Sequence, residues 1–146
     1  MNEILNTKFL KLIKSLKLQK IQPISIHSDL LGDMSNSESE LNLSFTQAFH
    51  NDDPIMDKSE ILLFRPKYEL NISFKDKPLF KQVSLFLVFF DIDKPEVFLE
   101  SWKDEELKKI FKEKQIQKIL WPFFRQNVHD GMSRLGIMPI TLPWII

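Results

Sequence analysis

The sequence predicts an α+β fold in which an antiparallel sheet is followed by a long helix on one face. Three segments between Leu16 and Phe74 alternate apolar and polar residues, which is the period of strands with one buried face. From Leu107 to Leu135, apolar residues recur at steps of three and four, the period of one helical face. Lys94 and Pro95 separate the two regions. Strands followed by helices on one face of the sheet define the α+β class.

Length, charge and composition limit the class of protein. At 146 residues we expect a single domain spanning 1–146. The twenty Lys and Arg balance twenty Asp and Glu, so we expect no nucleic-acid partner. No cysteine is present, which excludes a disulfide framework. No apolar run approaches the roughly 18 residues of a membrane span, and the first residues lack a signal-peptide pattern, so we expect a cytoplasmic protein.

The first segment predicts an amphipathic helix before the sheet. Its lysines lie largely away from one apolar face, which is formed by Leu5, Phe9, Leu12, Ile13 and Leu16. Three interpretations stay open for this helix. It packs on the sheet as an ordinary surface helix, it binds a partner, or its lysines attract it to an anionic membrane surface.

Four segments then show the period of strands. The first, from Leu16 to Ile26, contains Pro23, which predicts an edge strand or a bulge. The second and third run from Leu41 to Phe49 and from Tyr68 to Phe74. Between the first and third segments, residues 29–60 hold eight acids and one lysine, typical of a solvated loop face.

The fourth segment, Val83–Phe90, is apolar on both faces. We expect Leu85, Leu87 and Phe89 to face the core. Phe86, Val88 and Phe90 then need cover from another subunit, from a bound chain, or from a second layer of this chain. This two-faced strand, together with thirteen Phe in the whole chain, predicts association with a partner.

Local signals mark the helical region that follows the sheet. Asp104 is a plausible N-cap, because Glu105 and Glu106 after it suit the positive end of a helix. Pro122 fits the beginning of a helix or a kink, and Gly136 fits the left-handed position that ends one. The segment after Gly136 holds two prolines and is therefore expected to be extended.

This C-terminal pattern resembles the signature of the SecB family of protein-export chaperones. The family has a helix of the type Leu-aromatic-Pro-aromatic-x-Arg that runs to Arg-x-Gly and a Pro-rich apolar segment. The matching residues here are Leu120, Trp121, Pro122, Phe123, Arg125, Arg134, Gly136, Pro139, Ile140, Leu142, Pro143 and Ile145. Trp144 departs from the family's second proline. The chain also stops where the family continues into a second helix.

The resemblance implies a four-stranded antiparallel sheet with a long C-terminal helix, assembled as a dimer of dimers. The N-terminal helix is extra to that pattern. The implied partners are non-native polypeptides, with the export motor SecA as a further candidate at an acidic sheet surface. A SecB-like chaperone of a toxin–antitoxin–chaperone system would instead guard an antitoxin. Neutral net charge, the missing second helix and the added N-terminal helix favour this dedicated version.

The sequence contains no recognisable catalytic or metal-binding motif. His27, His50 and His129 are isolated, and three glycines in total cannot build a phosphate-binding loop, so we expect no metal, no cofactor and no enzyme. The predicted function is an ATP-independent holdase, a chaperone that binds non-native polypeptide on apolar surface. The alternative is a structural or assembly subunit of a permanent complex without chaperone activity.

Aromatic and methionine side chains suit such binding, because they offer a large contact area without demanding one sequence. The expected client- or subunit-contacting residues are Phe86, Phe90, Phe98, Trp102, Phe124, Met132, Ile137, Met138, Leu142 and Trp144. Four further residues are expected to be structural: Pro122, Arg125, Arg134 and Gly136.

Overall fold

The computed structural model describes residues 2–33, 41–57, 60–138, 140 and 142. Its α+β architecture confirms the predicted class, with an N-terminal helix, an antiparallel sheet and a long C-terminal helix. In chain order the elements are α1 (Glu3–Lys14), β1 (Leu16–Leu30), β2 (Asn42–Ala48), β3 (Ile55–Met56), β4 (Ile61–Phe64), β5 (Lys67–Phe74), β6 (Lys77–Ile92), α2 (Pro95–Ser101), α3 (Glu105–Ile110), a π-helix (Phe111–Ile116) and α4 (Gln117–Arg134).

The described sheet has six strands, in the hydrogen-bonded order β2-β5-β6-β4-β3, with β1 also paired to β6. The resemblance implied four strands. The difference arises because β3 has only two residues, and because Arg65 and Pro66 separate β4 from β5. Both β4 and β5 nevertheless pair with β6 in one register, as Phe64↔Val88 and Lys67↔Leu85 show.

The chain forms two compact units. Unit 1 comprises Met1–Gln22, Phe49–Arg65 and Leu87–Ile119. Unit 2 comprises Pro23–Ala48, Pro66–Phe86 and Leu120–Ile146. Within the described residues, no helix is long and apolar enough to cross a membrane.

Unit 1 is built around the ring of Phe64. Ring centroids lie 5.8 Å away in Phe90, 6.0 Å away in Trp102 and 5.6 Å away in Phe111. Helix α1 packs against α2 and α3, and it buries Leu12 completely. The predicted cap of α3 is confirmed, because the Asp104 carboxylate accepts hydrogen bonds from the backbone N–H groups of the first helical turn.

In unit 2, α4 packs on one face of β2, β5 and β6. The Phe45 ring on β2 lies 5.0 Å from Trp121 and 5.6 Å from Phe124 of the helix. Tyr68 on β5 also packs edge-on against Phe124, at 5.4 Å. Helix α4 thus presents large side chains at steps of three and four, as its sequence pattern predicts. Aromatic rings of the strands pack against them.

The predicted faces of β6 are reversed. Phe86, Val88 and Phe90 lie in the chain's own interior, at most 3% exposed, whereas Leu85, Leu87 and Phe89 are only half-buried. In unit 2 the Tyr68 ring covers Phe86 at 5.8 Å. In unit 1 the rings of Phe64 and Phe111 cover Phe90. Side chains of this same chain therefore cover Phe86 and Phe90, which is one of the three alternatives that the sequence left open.

The end of α4 follows the predicted signals. Gly136 has φ +74°, and the backbone N–H of Ile137 bonds to the carbonyl of Met132 at 2.9 Å, which closes the last turn. Pro122 lies inside the helix rather than at its start, because the π-helix and α4 continue α3 without a break.

Candidate polypeptide-binding surface

Most of the predicted contact residues lie in the core. Six of the ten are at most 4% exposed, because neighbouring side chains of the same unit cover them: Phe86, Phe90, Phe98, Phe124, Met132 and Leu142. Phe98, for example, stacks on Trp102 at 5.2 Å. Buried side chains cannot contact a client on the surface, so these six assignments are corrected.

The remaining four predicted residues differ in position. Met138 follows α4 and is 87% exposed, the largest exposure of any large apolar residue described. Trp102 and Ile137 are half-buried. Trp144 lies outside the described residues, as do Pro139 and Pro143.

The predicted structural role of Arg125 has a physical basis in unit 2. Its Nε donates a hydrogen bond to the carbonyl of Leu142 at 2.8 Å, which ties the C-terminal segment to α4. The Ile140 backbone N–H reaches the Met132 sulfur at 3.3 Å in the same region. Arg134 is exposed in the last turn of α4, where a cation suits the negative end of the helix dipole.

Strand β1 exposes apolar side chains that the sequence pattern assigned to a buried face. Ile24 is 51% exposed and Ile26 is 38% exposed. Both point to the same side of the strand as Ser28, because side chains alternate with a period of two. The Ser28 hydroxyl donates to Gln82 Oε1 at 2.7 Å, and this pair lies directly under Gly131 of α4. Ile24 and Ile26 therefore lie on the α4 side of the sheet.

Phe123 stands on the flank of α4 that borders β1. On a helix with 100° per residue, Phe123 is roughly 80° from Gly131 and roughly 160° from Trp121. Gly131 faces Ser28 of β1, whereas Trp121 faces Phe45 of β2. Phe123 is 47% exposed. We name Ile24, Ile26 and Phe123 the β1–α4 surface.

The outer edge of β1 adds a backbone component to this surface. Across the described ranges, β1 pairs with β6 alone, so its other edge is open over fifteen residues. An open strand edge offers N–H and C=O groups to an extended chain or to a second copy of the strand. Apolar side chains beside an open edge can thus bind extended polypeptide through both side chains and backbone.

The opposite face of the unit 2 sheet is polar and mixed in charge. The Glu69 carboxylate on β5 accepts from the Lys81 ammonium on β6 at 3.1 Å. This hydrogen bond is the largest cause that lowers the pKa of Glu69 below its ordinary value. Lys67 is exposed on the same face. The described part of this face is therefore not acidic, and an acidic face is what SecA docking would favour.

The sequence did not indicate the β1–α4 surface because alternation alone cannot show whether a strand has a second layer. Pro23 was the available signal, since it predicted an edge strand, and β1 does lie at an edge. Among the described residues, no group of three or more His, Cys, Asp and Glu side chains could hold a metal ion.

Comparison with solved structures identifies the fold. The SecB-like chaperone Rv1957 of Mycobacterium tuberculosis, solved in complex with a ChAD peptide from the Rv1956 HigA1 antitoxin, matches with a TM-score of 0.69 at 17% identity. The match covers 97% of this chain and 99% of that chain. The protein therefore has the fold of a SecB-like chaperone, which confirms the resemblance of the C-terminal pattern at the level of fold.

A second solved structure, a protein of unknown function from Streptococcus agalactiae, matches with a TM-score of 0.41 at 12% identity. It covers 88% of this chain and 97% of that chain, and nothing is drawn from so low a score. A scan against protein-family models and a search of curated proteins found no match.

Proposed function

We propose that the protein is an ATP-independent holdase that binds non-native polypeptide in the cytoplasm. The observation that carries this proposal is the SecB-like fold with an exposed apolar surface beside the open edge of β1. No enzymatic activity is part of the proposal. Burying the exposed half of each side chain of the β1–α4 surface would contribute about 1 kcal/mol per residue before association entropy is subtracted.

We further propose a labile antitoxin as the client, in preference to export substrates handed to SecA. The SecB-like structure that matches this chain was solved with an antitoxin peptide. The neutral net charge and the mixed-charge face around Glu69 and Lys81 also favour this version. We expect a homotetramer, a dimer of dimers, because that is the assembly that the SecB resemblance implies.

The test combines aggregation and mass measurements on the full chain. A reduced, unfolded model protein is diluted into buffer with and without the chaperone, and light scattering follows its aggregation. Light scattering coupled to size exclusion gives the mass of the chaperone alone and with the client. Wild type should form a discrete oligomer and suppress aggregation. A discrete oligomer that leaves aggregation unchanged would instead favour a permanent structural subunit.

Variants locate the binding surface. Ile24→Glu and Phe123→Glu place charge on the β1–α4 surface and should lower aggregation suppression or split the oligomer. Ile4→Glu is the matched control, because Ile4 is 72% exposed on α1 in unit 1 and is not one of the residues of that surface. All three sites are exposed, so the fold should survive within about 0.5 kcal/mol. If the surface variants behave as the Ile4 variant does, the surface is assigned wrongly.

A further inference from the structure

Unit 1 contains a cleft of ≈ 400 Å³ between the turn after β2 and the helices that follow the sheet. This volume lies in the range of pockets that hold small ligands or single large side chains. One wall is the turn, and the other is α3 with the first turn of the π-helix. The lining residues are Phe49, Asn51, Asp53, Trp102, Glu105, Lys108, Lys109, Lys112 and Glu113.

Arg65 fixes the turn wall in place. The side chain of Asp53 is fully buried, and its carboxylate accepts from the Arg65 backbone N–H at 2.7 Å and from Arg65 Nε at 2.8 Å. Arg65 also pairs with Asp52. Lys112 Nζ on the other wall donates to the Asp53 carbonyl at 3.3 Å. The two walls are thus tied together, and the cleft is shaped before a ligand arrives.

The cleft combines aromatic rings with ammonium groups. The buried Phe64 ring stands edge-on to both Phe49, at 6.3 Å, and Trp102, at 6.0 Å, so one core residue supports both lining rings from behind. Lys112 Nζ lies 5.2 Å from the Phe49 ring centroid, and Lys108 Nζ lies 6.0 Å from that of Trp102. Each lining ring therefore has a cation over it.

The positive charge of the cleft lies on its helical wall. Asp53 is already neutralised by Arg65, and the exposed Glu105 pairs with Lys108 at 3.2 Å. Three lysines line the cleft, against Glu105 and Glu113 as the other two carboxylates. On the helical wall alone, three lysines therefore face two carboxylates, whereas the turn wall holds Arg65 with both Asp52 and Asp53. Lys109 is exposed at this rim, where it can meet a carboxylate of a ligand.

We propose that this cleft binds an aromatic side chain that stands beside an acidic residue in an incoming polypeptide. The ring would pack edge-to-face on Phe49 and Trp102, the geometry that aromatic pairs prefer, and the neighbouring carboxylate would meet the lysines of the helical wall. The inference rests on the proposed polypeptide-binding function. It adds a preference for a particular side-chain pair, and the residues that line the cleft all belong to unit 1, whereas those of the β1–α4 surface belong to unit 2.

The test is titration of the full chain with blocked tripeptides, followed by backbone amide NMR shifts at low ionic strength. The probe is a phenylalanine flanked by two glutamates. The controls replace phenylalanine by alanine, or both glutamates by lysines. The probe should bind more tightly than either control and should shift amides around Phe49 and Trp102. Equal binding of all three peptides would overturn the proposal.

Two charge reversals at exposed lysines sharpen the result. Lys109→Glu should weaken binding of the acidic probe about tenfold, because an attraction becomes a repulsion at the rim. Lys103→Glu is the control, since Lys103 is exposed, pairs with Glu100 and does not line the cleft. Its affinity for the probe should match wild type. An equal loss in both variants would show general electrostatics rather than a site and would contradict the proposal.

The aggregation assay separates this inference from the proposed function. If wild type binds the probe at the cleft but does not suppress aggregation, the holdase proposal fails and the cleft stands. If wild type suppresses aggregation but does not distinguish the three peptides, the cleft proposal fails and the holdase stands.

Discussion

Helix α4 approaches the sheet closely at Gly131, and Gly131→Ala tests that packing. A Cβ at this position would lie closer than 3.0 Å to both Ser28 Oγ and Gln82 Oε1, which are joined by a hydrogen bond of 2.7 Å. Real Cβ contacts are essentially never so short, so the substitution must displace this pair or lift the helix.

The net effect is a balance of three contributions. Alanine gains about 1 kcal/mol over glycine in a helix interior. Overpacking costs about 1–3 kcal/mol, and loss of the Ser28–Gln82 bond costs about 1 kcal/mol more. We therefore expect Gly131→Ala to lower the free energy of unfolding by about 1–3 kcal/mol, with the midpoint temperature falling by about 4 °C per kcal/mol.

The assay is urea unfolding followed by far-UV circular dichroism. Ser133→Ala is the control, because Ser133 is exposed on the same helix and alanine there improves helix propensity without a clash. Adding Ser28→Ala to Gly131→Ala removes one of the two clashing atoms and should recover part of the loss. A Gly131→Ala protein more stable than wild type, by the propensity gain alone, would refute the close-approach argument.

Two further predictions concern Tyr68 and Arg65. Tyr68 is the sole tyrosine, and burial raises the pKa of its phenol well above the ordinary 10.0. Because the unfolded phenol ionises near 10 and the folded one does not, stability should fall as pH rises above that value. In an alkaline titration, the phenolate absorbance at ~295 nm should therefore rise only as the far-UV dichroism of the folded protein is lost. Ionisation of Tyr68 near pH 10 while the protein is still folded would contradict this prediction. Arg65→Met leaves the buried Asp53 carboxylate without its cation and should lower the urea midpoint of unfolding. Lys103→Met removes a cation from an exposed pair and should leave the stability almost unchanged. An equal loss of stability in the Arg65 and Lys103 variants would contradict the argument from the buried Asp53 carboxylate.

Local signals in the sequence predicted local structure well. The Asp104 cap, the Gly136 helix end and the alternation of β5 are all present in the structure. Each depends on backbone groups or neighbours within a few residues, so the information is contained in a short segment. The SecB-like order of elements follows from the same signals read together.

Which face of an element meets the interior was harder to predict. Both faces of β6 are apolar, so its period carries no information about which face α4 or Phe64 covers. The cleft brings together Phe49 and Trp102, which are far apart in sequence, and no pattern within either segment indicates the other. The β1–α4 surface depends on the absence of a second layer over β1, which is a property of the assembled fold.

The π-helix has a consequence for insertions and deletions in this chain. Seven buried apolar residues of the helical region form a series that advances by four residues at every step except one: Leu107, Phe111, Ile116, Leu120, Phe124, Val128 and Met132. The exception, from Phe111 to Ile116, spans the π-helix. The segment therefore accommodates one residue more than a regular helical repeat would need. Deletion of one residue between Phe111 and Ile116 would restore a regular step of four between these two core positions, and this interval contains Lys112 and Glu113, which line the cleft.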